Sequence, residues 1–202
     1  MRAVIIGNGN IKDYEYIKGK IRDTDFIICA DGGYNHAQKM GITPDVLLGD
    51  FDSASGFECV KDRIEYPVRK DFTDGELAVM YAVEHGYQDI ALIAMTGDRL
   101  DHTMADILLL DKCKNGVVID DNNEIYLLKD KLSINGRKGQ TLSIIPINGD
   151  AQGITTIGLE YPLCDETLHF ASSRGISNVM LDSKCEITIR NGMALVIKVE
   201  KV

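Results

Sequence analysis

Short apolar runs alternate with longer segments of helical periodicity through the first 120 or so residues of the chain. This alternation is typical of a mainly parallel sheet covered by helices. The helical segments predict helices at residues 14–20, 34–40, 76–85 and 103–112. The apolar runs predict strands at residues 3–6, 26–30, 46–48, 89–93 and 117–119, with a further candidate near Ile64.

The pattern changes near residue 122 to short runs in which apolar and polar residues alternate, as in strands with one buried face. Such runs occur at residues 125–128, 142–146, 168–170, 185–190 and 193–200. Between them lie Asn135-Gly136, Asn148-Gly149 and Asn191-Gly192, which predict hairpin turns. The sequence therefore predicts an α/β N-terminal domain over residues 1–122 and an all-β C-terminal domain over residues 123–202, most simply a small sandwich.

Composition narrows the range of partners. A chain of 202 residues that is 45% hydrophobic can bury a proper core. Its formal charge of -9 and the lack of any Lys/Arg run exclude general binding to nucleic acid or to an anionic membrane. An acidic enzyme that handles polyphosphates therefore needs a metal.

Cysteine usage and the lack of long apolar stretches indicate the compartment. The five cysteines are scattered, with no Cys-x-x-Cys pair, so they predict neither a disulfide framework nor a zinc site. The apolar run at residues 3–6 is too short for a signal-peptide core, and no stretch approaches membrane-spanning length. We expect a cytoplasmic protein.

One acidic stretch, Gly49-Asp50-Phe51-Asp52-Ser53, directly follows a predicted strand. In extended backbone, residues i and i+2 point to the same side, so the carboxylates of Asp50 and Asp52 face the same way. Like charges this close require a proton or a cation between them, and oxygen ligands on a short turn suit Mg²⁺. The alternative is a solvated acidic turn.

Two glycine-bearing segments follow the first two predicted strands. Gly7-Asn8-Gly9 can bring backbone amides close to a phosphate, although a plain turn explains it equally well. Ala30-Asp31-Gly32-Gly33 opens a helix, where free N–H groups favour anions. Asp31 can instead cap that helix.

Two further acidic clusters also precede predicted helices. In the cluster from Lys70 to Glu76, Thr73 and Glu76 have the spacing of a capping box, which leaves Lys70, Asp71 and Asp74 for phosphate or metal. The cluster from Thr96 to His102 carries Arg99, a planar donor for phosphate, and Asp101, which can orient Arg99 or His102.

The predicted β domain contains a polar loop at residues 172–178. Its hydroxyl and amide groups can donate and accept hydrogen bonds to a small heterocycle, and an ordinary hairpin connection is the alternative.

Taken in order, these motifs resemble the thiamine pyrophosphokinase family of the bacterial type. The matching pieces are Ala30-Asp31-Gly32-Gly33, Gly49-Asp50-Phe51-Asp52-Ser53, Lys70-Asp71-x-Thr73-Asp74-x-Glu76, Thr96-Gly97-x-Arg99-x-Asp101-His102, Gly158-Leu159-x-Tyr161-Pro162-Leu163 and Gly175-Ile176-Ser177-Asn178.

The resemblance implies transfer of the pyrophosphoryl group of ATP to the hydroxyl of thiamine, giving thiamine diphosphate and AMP. It also implies an ATP-binding α/β domain, a thiamine-binding β-sandwich, and a homodimer with active sites at the subunit interface. It assigns Mg²⁺ to Asp50, Asp52 and Asp74, which with Asp71 form the catalytic set. The nucleotide-binding residues that it implies are Asp31, Gly32, Lys70, Arg99, Asp101 and His102, and the thiamine-binding residues are Ser177 and Asn178.

The chain departs from the family pattern at three positions. Asp98 stands where relatives commonly have glycine, Asp106 where they have Asn, and Tyr161 where many have Trp. These departures bear on the nucleotide contacts and on the aromatic contact to thiamine.

Two other classes of protein stay open. Asp50-x-Asp52 is also similar to the haloacid-dehalogenase phosphatases, in which a first Asp is the nucleophile, but there the motif follows the first strand. A non-catalytic nucleotide sensor is the other class, and it would need fewer acidic residues near its strand ends.

Overall fold

A computed structural model describes residues 1–51, 56–57, 60–67, 69 and 71–200. The chain forms two compact units, Met1–Asp121 and Asn122–Val202. The first unit contains a parallel sheet with a few short helices, and the second contains antiparallel strands. No helix within the described ranges is long and apolar enough to cross a bilayer.

The first unit is built on six strands, each hydrogen-bonded in parallel to its neighbours in the order β4-β3-β2-β1-β5-β6. Nearly every residue of the inner strands is buried, which explains why the sequence shows continuous apolar runs there. The strands are β1 (Arg2–Ile6), β2 (Phe26–Ala30), β3 (Val46–Gly49), β4 (Asp62–Glu65), β5 (Asp89–Ile93) and β6 (Asn115–Ile119). All six predicted strand positions are confirmed.

The helices of this unit are α1 (Tyr14–Lys18), α2 (Gly33–Met40), α3 (Asp74–Glu84) and α4 (Leu100–Leu108), and a 3₁₀ turn (Leu109–Lys112) continues α4. Helix α3 starts earlier than predicted because Thr73 caps it: the Thr73 hydroxyl accepts from the amide of Glu76 at 3.1 Å. The Glu76 carboxylate forms an ion pair with Lys112.

The second unit is all β and is arranged around one strand of 17 residues, β9. This strand pairs antiparallel with β10, β11, β12 and β13, while β7 pairs with β13 and β8 with β12. The strands are β7 (Asn123–Leu128), β8 (Lys131–Asn135), β9 (Thr141–Ile157), β10 (Glu166–Leu168), β11 (Asn178–Val179), β12 (Lys184–Thr188) and β13 (Asn191–Val199).

The hairpin prediction at Asn148-Gly149 is wrong. Both residues have positive φ, 60° and 98°, yet the chain stays in β9 and does not reverse. Opposite them the register of β13 moves from Met193↔Ile147 to Asn191↔Gln152, so the extra residues form a bulge.

The other two Asn-Gly pairs are not hairpins either. Asn135 ends β8, which pairs with β12, and Asn191 begins β13, which pairs with β7 and β9. Among the described strands, those on either side of each pair do not bond to one another. Pairing with strands distant in sequence overrides the local turn preference.

A buried ionic cluster lies at the end of β13 in the second unit. Lys198 is only 6% exposed, and its Nζ lies 2.7 Å from Glu124 Oε2 and 2.8 Å from Glu200 Oε1. The same ammonium donates to the carbonyl of Asn135 at 3.0 Å, and the Tyr126 hydroxyl donates to Glu124. One buried cation thus lies between two carboxylates, of which Glu200 also forms an ion pair with Arg137 at 3.6 Å.

Candidate functional site

A cleft of about 590 Å³ opens in the first unit, where β1, β2, β3 and β5 end. Ligands of open α/β sheets bind at this edge, because the loops that leave parallel strands converge there. The first turns of α3 and α4 complete the walls. The cleft is lined by Gly7, Asn8, Gly9, Asn10, Ala30, Asp31, Asp50, Phe72, Thr73, Asp74, Gly75, Ala94, Met95, Thr96, Gly97, Asp98, Arg99, His102, Thr103 and Asp106.

The loop after β1 is joined to the loop after β5 along one wall of the cleft. The amides of Gly7, Gly9 and Asn10 donate to the carbonyls of Ile93, Ala94 and Thr96 at 2.9, 2.7 and 2.8 Å. A Cβ at Gly9 would lie 2.4 Å from the Thr96 carbonyl, so this close approach requires glycine. These three amides are therefore occupied, and the phosphate contact that the glycine pattern offered is wrong for them.

Asp31 is a buried carboxylate at the end of β2. It is 9% exposed, has a positive φ of 43°, and its Oδ1 has no hydrogen-bond partner among the described residues. Gly32 occupies the N-cap of α2, so Asp31 does not cap that helix. A buried carboxylate oxygen without a protein partner calls for a cation or for a donor on a ligand.

Asp50 and Asp74 reach the cleft from different elements. Asp50 follows β3, and Asp74 is the first residue of α3, directly after its Thr73 cap; both are half-buried. Asp71 is exposed and is not one of the residues that line the cleft. Asp52 and Lys70, also predicted here, lie outside the described residues.

Arg99, which lines the cleft, forms a two-pronged ion pair with Asp101, which is not among the lining residues. Arg99 Nε and Nη2 donate to the two Asp101 oxygens at 2.9 and 2.7 Å. The pair holds the pKa of Asp101 well below its usual range and raises the pKa of Arg99. Asp101 therefore orients Arg99, one of the two roles that the sequence left open.

Two residues that line the cleft, Asp106 and Asn10, were not predicted as site residues from the sequence. Asp106 lies one turn beyond His102 on α4, and burial raises its pKa to about 6, although His102 opposes the shift. His102 and Asp106 are four residues apart, so the sequence alone could have predicted that they lie on the same face of the helix. Asn10 donates to Asp98 Oδ1 at 3.0 Å, which could not be read from residues that are 88 apart in sequence.

A smaller cavity of about 270 Å³ lies in the second unit. Its lining residues are Ile144, Tyr161, Pro162, Leu163, Arg174, Gly175 and Asn178.

Asn178 is buried in that cavity wall, and its amide is hydrogen-bonded to the backbone of Tyr161. Its Nδ2 donates to the Tyr161 carbonyl at 2.7 Å, and its Oδ1 accepts from the Tyr161 amide at 3.0 Å. Ser177 is exposed, has a φ of 59°, and is not among the lining residues.

Comparison with known proteins covers both units. The family model "Thiamin pyrophosphokinase, catalytic domain" matches residues 17–127, and "Thiamin pyrophosphokinase, vitamin B1 binding domain" matches residues 126–194. Thiamine pyrophosphokinase of Bacillus subtilis is 31% identical over 172 residues, which cover 78% of this chain and 79% of that protein. Thiamin pyrophosphokinase 1 of Caenorhabditis elegans is 23% identical over 191 residues, which cover 86% of this chain and 78% of that protein.

Solved structures agree. The crystal structure of thiamine pyrophosphokinase from Bacillus subtilis superimposes with a TM-score of 0.88 at 25% identity, and covers 100% of both chains. The enzyme from Candida albicans, at 17% identity and a TM-score of 0.76 over 98% of this chain and 89% of its own, shares the fold.

The α/β unit with its acidic cleft and these matches together define an enzyme, a transferase of the kinase class. More particularly, the chain belongs to the thiamine pyrophosphokinase family.

Proposed function

We propose that this enzyme transfers the pyrophosphoryl group of ATP to the hydroxyl of thiamine and releases AMP. The observation that carries the proposal is the cleft at the strand ends of the first unit. It places Asp31, Asp50, Asp74 and Arg99 around one space, within the part of the chain that matches the family's catalytic domain. The position of Asp50 also favours a kinase over a haloacid-dehalogenase phosphatase, because Asp50 follows the third strand and not the first.

Incubation with ATP, Mg²⁺ and thiamine tests the function. We expect AMP and thiamine diphosphate in equal amounts. ADP with thiamine monophosphate would show single phosphoryl transfer, free phosphate would show a phosphatase, and no product would show a binding protein. Each of these three results would overturn the proposal.

The residues of the cleft fit a divalent cation. The buried Asp31 Oδ1 lacks a partner among the described atoms, and Asp50 and Asp74 add carboxylate oxygens, the ligands that Mg²⁺ prefers. No group of three His, Cys, Asp or Glu residues within the described ranges is placed to hold a metal alone. We infer that Asp50, Asp52 and Asp74 hold Mg²⁺ together with phosphate oxygens. When bound, the ion neutralises charge on the phosphates.

The chain's own residues position the reactants. A bond forms between the thiamine hydroxyl oxygen and the β-phosphorus, the bond from that phosphorus to the bridging oxygen of the α-phosphate breaks, and AMP leaves. The hydroxyl proton passes to a carboxylate of the acidic set. Arg99, oriented by Asp101, stabilises charge on the transferred group, and Asp31, Gly32, Lys70, Asp71 and His102 complete the nucleotide site.

We infer that the second unit binds thiamine at the cavity beside Tyr161. The side-chain amide of Asn178 is hydrogen-bonded to the backbone of Tyr161. We therefore infer that Asn178 acts on thiamine indirectly, by holding Tyr161 in the wall of the cavity. Ser177 stays a candidate for direct contact through its hydroxyl.

Asn178→Ala should raise the KM for thiamine several-fold and leave the KM for ATP nearly unchanged, because the Tyr161 segment loses both of its side-chain hydrogen bonds. Ser177→Ala should have a smaller effect in the same direction. Steady-state kinetics with each substrate varied in turn measures both. If the two variants weaken ATP alone, the division of substrates between the units is wrong.

We also propose a homodimer, supported by an uncovered apolar stripe on α4. Leu100, Met104 and Leu108 recur at intervals of four residues and are 71%, 53% and 50% exposed. A stripe of this spacing on one helix face is typical of a contact with another apolar surface. A C-terminal unit of about 80 residues also buries a marginal core on its own.

Light scattering at micromolar concentration should give a dimer mass for the wild type. Met104→Glu should shift the mass towards the monomer, because a charge in an apolar interface is costly to bury. Val83→Glu on α3, also an exposed apolar position, serves as the matched control and should leave the dimer intact. A monomeric, fully active wild type would contradict the proposal.

The remaining assignments follow from the same reasoning. We infer that the second unit is a sandwich, since its buried core draws on strands of both pairings made by β9. A cytoplasmic location agrees with free thiols at Cys29, Cys113, Cys164 and Cys185.

A further inference from the structure

A polar chain runs behind the cleft from α2 through α1 to the loop after β1. His36 Nε2 lies 2.8 Å from the Gly9 carbonyl, His36 Nδ1 lies 2.8 Å from the Tyr14 hydroxyl, and Lys39 Nζ lies 3.3 Å from that hydroxyl. We call these three side chains the His36 relay.

The direction of each hydrogen bond follows from the chemistry of the groups. A carbonyl can only accept, so His36 Nε2 carries the proton and donates to Gly9. An ammonium can only donate, so the Tyr14 oxygen accepts from Lys39. When His36 is neutral with its proton on Nε2, Nδ1 is an acceptor and the Tyr14 O–H donates to it.

The relay acts on a residue that lines the cleft. Gly9 donates its N–H to Ala94 on one side, and its carbonyl is held by His36 on the other. Further along, the Asp121 carboxylate accepts from the amides of Lys12 and Asp13 at 3.0 and 2.8 Å. Between Gly7 and the Asp121 contacts, the His36 ring donates to the backbone of the cleft wall.

We propose that His36 is a positioning residue for the nucleotide cleft: it fixes the Gly9 peptide, and with it the wall formed by residues 7–10, in the arrangement that accepts the nucleotide. This inference rests on the proposed function in one respect, namely that the cleft binds ATP. His36 itself is not among the residues that line the cleft.

The relay makes the cleft wall sensitive to acid. Burial lowers the pKa of His36 below its ordinary value of 6.5, and the nearby charge of Lys39 lowers it further, whereas the bond to Gly9 opposes the shift. Protonation of Nδ1 ends its acceptance of the Tyr14 O–H, which must then turn away, and it adds a cation near the Lys39 ammonium. The stabilisation is complete above pH 6.5 and is lost as the pH falls through the lowered pKa.

Three variants and one control test the proposal. His36→Ala removes the donor to Gly9, and His36→Gln keeps an N–H donor at that position without a titrating ring. Tyr14→Phe keeps the His36 donor and removes the hydroxyl that contacts Nδ1. His85, which is exposed and bonds to the Tyr81 carbonyl within its own helix, provides His85→Gln as the matched control.

We expect His36→Ala to raise the KM for ATP on the order of 10-fold at pH 7.5, with the KM for thiamine unchanged. His36→Gln should stay within about twofold of the wild type at pH 7.5, because it keeps one of the two hydrogen bonds of the ring. As the pH falls through the lowered pKa of His36, the KM for ATP should rise more steeply in the wild type and in His85→Gln than in His36→Gln, because Asp106, whose pKa is about 6, titrates in all three proteins.

Equal changes in the KM of both substrates, or a fall in melting temperature with both KM values unchanged, would mean a merely structural role and would overturn the proposal. If His36→Ala does not fold, the pH dependence of the KM for ATP in His36→Gln and Tyr14→Phe tests the proposal in its place. Both substitutions nearly keep the size of the side chain.

Two further measurements do not depend on the reaction. Nitrogen NMR of the His36 ring should show the neutral form protonated at Nε2, and amide exchange at Gly9 and Asn10 should be faster in His36→Ala than in the wild type. If the enzyme does not use ATP, these readouts still test the relay. The Nδ1-protonated form, or unchanged exchange, would overturn it whatever the substrate is.

Discussion

Asp50→Asn lowers turnover by a factor on the order of 10² or more, with the fold unchanged. The amide keeps the size of the side chain but removes the charge with which the cleft would hold a divalent cation. Asp74→Asn should behave in the same way, because Asp74 lines the same cleft from the first turn of α3. Asp52→Asn is the third member of this series.

Initial rates with ATP and thiamine measure the loss, and circular dichroism and melting temperature establish that the fold is kept. Asp23→Asn, at an exposed carboxylate that does not line the cleft, is the matched control and should retain full activity. Raising the Mg²⁺ concentration should restore part of the activity of Asp50→Asn, since a weakened site fills at higher ion concentration. Near-normal turnover of Asp50→Asn and Asp74→Asn would contradict the assignment of Mg²⁺ to these carboxylates.

Lys198→Met destabilises the second unit by about 3–5 kcal/mol, because it removes a buried ammonium that lies between two carboxylates. Lys198 is 6% exposed, and Glu124 and Glu200 both lie within 3 Å of its Nζ. Methionine has a similar length and packs without strain, so the loss reports on charge and not on volume. Urea denaturation followed by circular dichroism measures the free energy of unfolding.

Lys131→Met is the control for this experiment. Lys131 forms an ion pair with Glu186 at 2.9 Å, but its side chain is 53% exposed, so water replaces the lost partner and stability should change little. Adding Glu124→Gln and Glu200→Gln to Lys198→Met should recover most of the loss, since the two negative charges beside Lys198 are then removed together with its positive charge. Equal destabilisation by Lys198→Met and Lys131→Met would contradict the expected cost of buried charge.

Local chemistry predicted the first unit well. Apolar runs such as that of β5 are short, bounded by helices and buried on both faces, so their ends could be located from the sequence alone. The sequence placed the start of α3 to within two residues and identified its cap, Thr73, because a helix cap is a local interaction. Asp31, Asp50, Asp74, Arg99 and His102 were found as cleft residues for the same reason: each follows a strand or opens a helix.

Long-range pairing limited the prediction of the second unit. Asn148 and Gly149 have the backbone angles of a turn, but β13 pairs with residues on both sides of them and keeps the strand continuous. Strand β8 was missed because its five residues expose most of one face and pair only with β12, far along the chain. Asn178 was predicted as a thiamine contact, whereas its bonds to Tyr161 depend on a neighbour 17 residues away.

The position of β13 has a consequence for how the second unit folds. β13 is an inner strand, hydrogen-bonded to β7 on one side and to β9 on the other, and both partners precede it in the chain. Until β13 is in place, β7 and β9 lack the partner that they share, and the edge of each presents unpaired backbone groups to other chains. These pairings join residues far apart in sequence, so we expect them to form late in folding. A truncation before Asn191 removes this inner strand and leaves the cleft-bearing unit attached to an aggregation-prone remnant.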